Sequence, residues 1–260
     1  MSIDSFTVPA IPTSSAPCRP WGFWASSGFG LAAVAAWFAI QLLAAFLVMA
    51  WLRSAAVPGA DAGALMSHAL TISLVTILSM PVPILVVVYA ARRAGCTVTD
   101  YLALHRPKRD DVVIGILIVA VLLPVGDLTS WLTGRDLIPP AVLDMYRTAR
   151  GSGVLTLVLL TVALVIAAPL MEEVLFRGFL LPGYAQSPHG LAGAIGLTSV
   201  GWAVMHIQYE WYYIGQIFVL GCVLGWLRWR SGSTILTIIL HAIVNAAALA
   251  QVAFVVERAN

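Results

Sequence analysis

Charge is what this sequence has least of. Asp, Glu, Lys and Arg make up 10% of its 260 residues, against 60% hydrophobic. A soluble domain needs about a quarter of its residues charged to cover a water-facing surface, so a soluble globular fold is excluded. Short segments of strict apolar/polar alternation are missing too, which removes a transmembrane β-barrel. The net charge of +2 is too small to attract nucleic acid, and no nucleic-acid partner is expected. The three cysteines, Cys18, Cys96 and Cys222, are odd in number, widely spaced and without a CxxC pair, so neither a disulfide framework nor a thiolate metal site is expected. There is no HExxH stretch, and no internal repeat is evident.

What is present is a succession of long apolar runs. Each is about 20 residues, the length a helix needs to cross a ~30 Å hydrocarbon core. The pattern predicts an all-α, polytopic, integral membrane protein surrounded by lipid, with spans near 23–52, 66–91, 112–132, 153–181, 191–208, 212–229 and 233–256. The first run is longer than the 7–15 residues of a signal-peptide core and reads as a retained span. Residues 1–20, rich in Pro, Ser and Thr, read as a tail without fixed structure. Residues 21–152 then form an N-terminal membrane region and residues 153–256 a second helical core.

Between the third and fourth spans, Leu137, Ile138, Ala141, Val142, Met145 and Tyr146 recur at helical spacing, with Asp144, Arg147 and Arg150 on the other side. This predicts a short interfacial helix, either a surface connector or one flanking a substrate entrance. Arg92, Arg93, Arg106, Lys108 and Arg109 cluster after the second span, and Arg228 and Arg230 after the sixth. The bias of basic loops places both in the cytoplasm of a bacterial-type membrane, with the N-terminus beside them. Arg135, Arg147 and Arg150 fall on the other side.

Against this background the stretch APLMEEVLFRGFLLPG (168–183) stands out, with two adjacent carboxylates and an arginine in an apolar run. A charge at the centre of a membrane helix costs about 2.5–3.5 kcal/mol on insertion scales. Glu173 and Arg177 are spaced i,i+4 with the acid first, the better order for pairing. Glu172 is rotated by about 100° from Glu173 and needs a different partner. The downstream polar groups are His206, four residues after Trp202, and His241 with Asn245, one turn apart in the last span. Pro169 removes a backbone donor just before the glutamates and loosens the helix there. Asp127 has no matching cation in the sequence and reads as a helix-end or structural residue. Glu210 reads as an interfacial loop residue, and His68, His105 and His189 as solvated.

EEVLFR, WAVMH and HAIVN, in that order, resemble the EExxxR, FxxxH and HxxxN motifs of the CPBP (CAAX protease and bacteriocin-processing, or Abi) intramembrane proteases. The intervening GCVLGWLRWRSGSTILTIILH is also similar to that family, and the resemblance runs over roughly 153–250. Trp202 stands where the family usually has Phe, a change expected to touch pocket width more than chemistry. The resemblance implies peptide-bond hydrolysis in membrane-associated protein or peptide substrates, prenylated or otherwise anchored. It implies catalytic roles for Glu172, His206, His241 and Asn245, with Glu172 and His206 activating water and His241 and Asn245 stabilising the oxyanion. Glu173 and Arg177 become a supporting pair. The same atoms allow a second version, a zinc ion held by Glu172, His206 and His241 with water in the fourth position. A metal-free glutamate mechanism is preferred, so no cofactor is favoured and zinc stays an option. Two other classes use the same polar core: a non-proteolytic scaffold or immunity protein, and a small proton-coupled transporter.

Overall fold

The computed structural model describes residues 18–54 and 68–258. Apart from residues 18–20, the expected unstructured tail lies outside the described residues. All regular structure among them is helical: α1 (Phe23–Ser54), α2 (Ala69–Ser79), α3 (Pro81–Arg93), α4 (Val98–Tyr101), α5 (Arg109–Leu132), α6 (Pro140–Gly151), α7 (Val154–Tyr184), α8 (Gly190–Val204), α9 (Trp211–Ser231) and α10 (Thr234–Arg258).

Among the described residues, five segments are long and apolar enough to cross a membrane: α1, α2 with α3 as one Ala69–Arg93 span, α5, α7 and α10. Two of the expected seven spans lie outside this set. The expected fifth span, α8, has 15 residues and reaches only about 22 Å at 1.5 Å per residue, short of a hydrocarbon core. The expected sixth, α9, has 21 residues but falls outside the set that is both long and apolar. These two helices pack tightly on each other. A Cβ on Gly221 of α9 would stand 2.9 Å from Ser199 Cβ and 3.1 Å from the Trp202 ring, so only glycine permits this approach.

The surface is inverted relative to a soluble protein. Leu31, Leu42 and Phe46 of α1 and Leu117 and Val121 of α5 face outward, while Ser73, Ser79, Thr198, Ser199 and Thr237 are buried. Small hydroxyl residues between helices allow close approach and bond across them in lipid. Trp37 Nε1 donating to Ser79 Oγ at 3.1 Å ties α1 to the α2–α3 span in this way.

The two basic loops meet on one face. Thr234 N donates to Ala103 O (2.9 Å), and Ser233 Oγ to His105 O (2.6 Å). Arg230 pairs with Asp111 at 3.3 Å. The chain entering α1 docks there too, through Trp21 N to Tyr101 Oη (3.1 Å) and Trp21 Nε1 to Ala90 O (2.8 Å).

A correction also falls on this face: Cys18 and Cys96 form a disulfide, and Cys222 is free. Spacing hid the pair because it is 78 residues apart in the chain. Basic-loop bias places this face in the cytoplasm, whereas disulfides persist in oxidising compartments, so the two arguments point to opposite sides. A membrane-impermeant thiol reagent applied from each side after mild reduction decides between them. The denatured, unreduced protein is expected to take one label, on Cys222, and the reduced protein three; three labels without reduction would remove the bridge.

His68 is not simply solvated. It caps α2 by accepting from Leu70 N (3.3 Å) and contacts Ser152 Oγ at 3.1 Å through Nε2. The interfacial helix forms as α6, and Tyr146 and Ala149 are buried within it.

Candidate active site

Both glutamates lie on a six-residue α-helical stretch, Ala168–Glu173, between two π-helical stretches of α7, Ala163–Ala167 and Val174–Leu180. Such wide turns are frequent at functional sites. Here Pro169 explains the first of them. Ala168 N bonds back five residues to Ala163 O. The next donor in that register would be Pro169 N, which carries no hydrogen. The Leu164 carbonyl is left without a helical donor, and Asn245 Nδ2 of α10 supplies one at 2.8 Å.

The two carboxylates separate as their rotation requires. Glu173 is fully buried; its Oε1 accepts from Arg177 Nη1 (2.9 Å) and His241 Nδ1 (3.0 Å). Arg177 is also fully buried. It donates through Nη2 to Gly221 O (3.1 Å) and lies 4.5 Å from the centre of the Trp202 ring. Glu172, 8% exposed, forms no ion pair among the described residues, and its Oε2 accepts from Trp202 Nε1.

That last bond gives Trp202 a contact beyond the pocket wall expected of it. Phe could supply a wall of similar character, but only the indole N–H reaches the carboxylate. The Trp202 ring also lies edge-to-face with His206 (centroids 5.5 Å apart) and with His241 (5.1 Å). It therefore touches Glu172, Arg177 and both imidazoles at once.

The tautomers follow from acceptor-only partners. His206 Nδ1 faces Trp202 O at 3.0 Å and His241 Nδ1 faces the Glu173 carboxylate, so both Nδ1 atoms carry hydrogen. Each neutral ring then offers Nε2 as an acceptor, and donates from Nε2 only when it carries both protons.

Glu172, His206, His241 and Asn245 line one cavity of about 1400 Å³, together with Trp202. His241 Nδ1 is engaged by Glu173 and one Asn245 amide hydrogen by Leu164 O, which leaves His241 Nε2 and the second amide hydrogen without these partners. If the amide serves Leu164, Asn245→Ala is expected to lower detergent-phase melting by the equivalent of about 0.6–2 kcal/mol. Unchanged melting would remove that bond from the account.

Zinc needs three side chains on one point. Among the described residues no three His, Cys, Asp or Glu side chains gather to hold a metal.

The cavity also holds Asp127, expected as a helix-end or structural residue, and a polar band that no motif marked. Asp127 of α5 lines it and accepts from Gln251 Nε2 of α10 at 3.3 Å. Gln216, Tyr212 and Thr129 form a hydrogen-bonded band on the same wall, with Gln216 Nε2 3.0 Å from Tyr212 Oη. Asp127 and Gln251 stand on different helices, 124 positions apart, so no local spacing announced the pair. Ile138, Ala141, Val142 and Met145 close another side, which places α6 on the cavity rather than on a plain connector. Glu210 instead pairs with Arg135 at an exposed position.

Helices that cross lipid around an acid- and histidine-lined cavity define an integral membrane protein with a polar interior site. The comparisons narrow the class. Residues 154–247 match the family model for type II CAAX prenyl endopeptidase Rce1-like proteins, in agreement with the resemblance read from the motifs. The chain is also 30% identical over 114 residues to a protein of Escherichia coli described as an uncharacterized 24.3 kDa protein; the match covers 43% of this chain and 52% of that protein, so the chain spans about half the length of this relative. No solved structure matches the chain.

Proposed function

We propose that the protein is an intramembrane endopeptidase that hydrolyses a peptide bond in a membrane-associated protein or peptide, using water activated by Glu172. The observation that carries this is the contrast between the two glutamates. Glu173 is neutralised by Arg177 and enclosed, whereas Glu172 borders the cavity with no cation paired to it. A carboxylate at a low-dielectric, part-wet wall is suited to take a proton from water. His206, through Nε2, helps hold that water. His241 Nε2, when the ring is doubly protonated, and the second amide hydrogen of Asn245 supply donors for the developing oxyanion. The Rce1-like match supports an endopeptidase reading and extends it to anchored, including prenylated, substrates.

The test compares membrane-protein termini in cells with the wild type and with Glu172→Gln. New termini present only with the wild type are expected; identical sets would overturn the reading. The purified protein is expected to keep its activity through exhaustive chelation. Activity that is lost with zinc and restored by it would replace the metal-free mechanism while leaving the residue list intact.

A further inference from the structure

We propose that the cavity accepts a peptide carrying a basic side chain, with Asp127 receiving its cationic group, and that it is not built around a free C-terminal carboxylate. This rests on the endopeptidase reading for the fate of the peptide, but not for its binding. Among the described residues the carboxylates on the cavity wall are Asp127, Asp144 and Glu172, and neither Lys nor Arg lines it. Asp144, on the exposed side of α6, has Arg147 3.8 Å away. Asp127 has no such partner: it forms no ion pair among the described residues, and its hydrogen bond comes from the neutral Gln251 amide.

A carboxylate accepts about four hydrogen bonds, so this one, with a single bond from Gln251, keeps acceptor capacity. The neighbouring donor Gln216 Nε2 is directed at Gly126 O (3.2 Å) and Tyr212 Oη (3.0 Å) rather than at Asp127. A charged group on a membrane-spanning helix costs about 2.5–3.5 kcal/mol and usually faces a partner or an aqueous path. Among the described residues no Lys or Arg on the cavity wall offsets this one, whereas an entering ammonium or guanidinium would. An entering carboxylate would meet acids and no Lys or Arg.

Binding is read on full-length Glu172→Gln protein in phosphatidylcholine nanodiscs, so that the probe is not cut. The probes are lipid-anchored fluorescent peptides with Lys, norleucine or Glu scanned along the chain, each with a free or an amidated C-terminus. At one position Lys is expected to bind roughly ten- to hundredfold more tightly than norleucine, the value of a charge-assisted hydrogen bond, with no loss on amidation. Adding Asp127→Asn should collapse that preference, and Asp127→Glu should retain it.

A Lys preference that survives Asp127→Asn, the absence of any preference, or tighter binding of the free acid than of the amide would each overturn the proposal. So would lowered melting of Asp127→Asn with selectivity intact, the signature of simple interhelical bonding to Gln251. If phosphatidylethanolamine in the discs displaces the Lys peptide, the cation belongs to a headgroup and the peptide assignment falls. Wild-type protein that prefers the Lys peptide yet cleaves nothing would sink the endopeptidase reading alone. Cleavage without a Lys preference would sink this inference alone.

Discussion

Purified Glu172→Gln protein is expected to lose proteolysis while inserting and folding like the wild type. The substitution keeps the shape of the side chain, and its amide oxygen can still accept from Trp202 Nε1 as Glu172 Oε2 does. What it removes is the ability to take a proton from water. General-base catalysis contributes roughly 10²–10⁴-fold, so turnover should fall by that factor or vanish into background. Stability should change little, because Glu172 forms no ion pair among the described residues whose partner would be stranded. Single-turnover cleavage and melting on one preparation check both halves. Wild-type turnover would remove Glu172 from the chemistry, and lost activity with collapsed melting would make it structural.

The motif helices were legible because local spacing carries their information. The i,i+4 interval of Glu173 and Arg177 announced their ion pair, and the rotation between adjacent residues announced that Glu172 would point elsewhere. Pro169 marked the loosened turn of α7 in the same way. Hidden from spacing were contacts set only by how helices pack. The partner of Cys18 lies beyond α3, that of Asp127 on α10, and that of Asn245 is a carbonyl whose freedom depends on the π register. Composition alone did not set the length of every helix. Runs at 191–208 and 212–229 are greasy enough to suggest two ordinary spans, but the turn at 205–210 ends α8 after 15 residues. That turn delivers His206 to the cavity.

Glu173→Gln is expected to be the most destabilising conservative change in the site. Glu173 and Arg177 are fully buried, and removing one charge leaves the other enclosed without compensation, a loss of about 3–5 kcal/mol. The pair already has little slack: Glu173 Oε2 and Arg177 Nε are buried without a hydrogen-bond partner among the described residues. Removing both charges gives a different result. Replacing a buried pair by uncharged groups of similar volume is often neutral or stabilising, so Glu173→Gln with Arg177→Met should recover most of the melting temperature lost by either single variant. Turnover should not recover with it, because the Glu173 carboxylate also holds His241 Nδ1 and thereby fixes which nitrogen faces the cavity. A purely structural pair predicts that stability and turnover return together. Recovery of melting with turnover still depressed would assign Glu173 to positioning His241, whereas joint recovery would confine it to the scaffold.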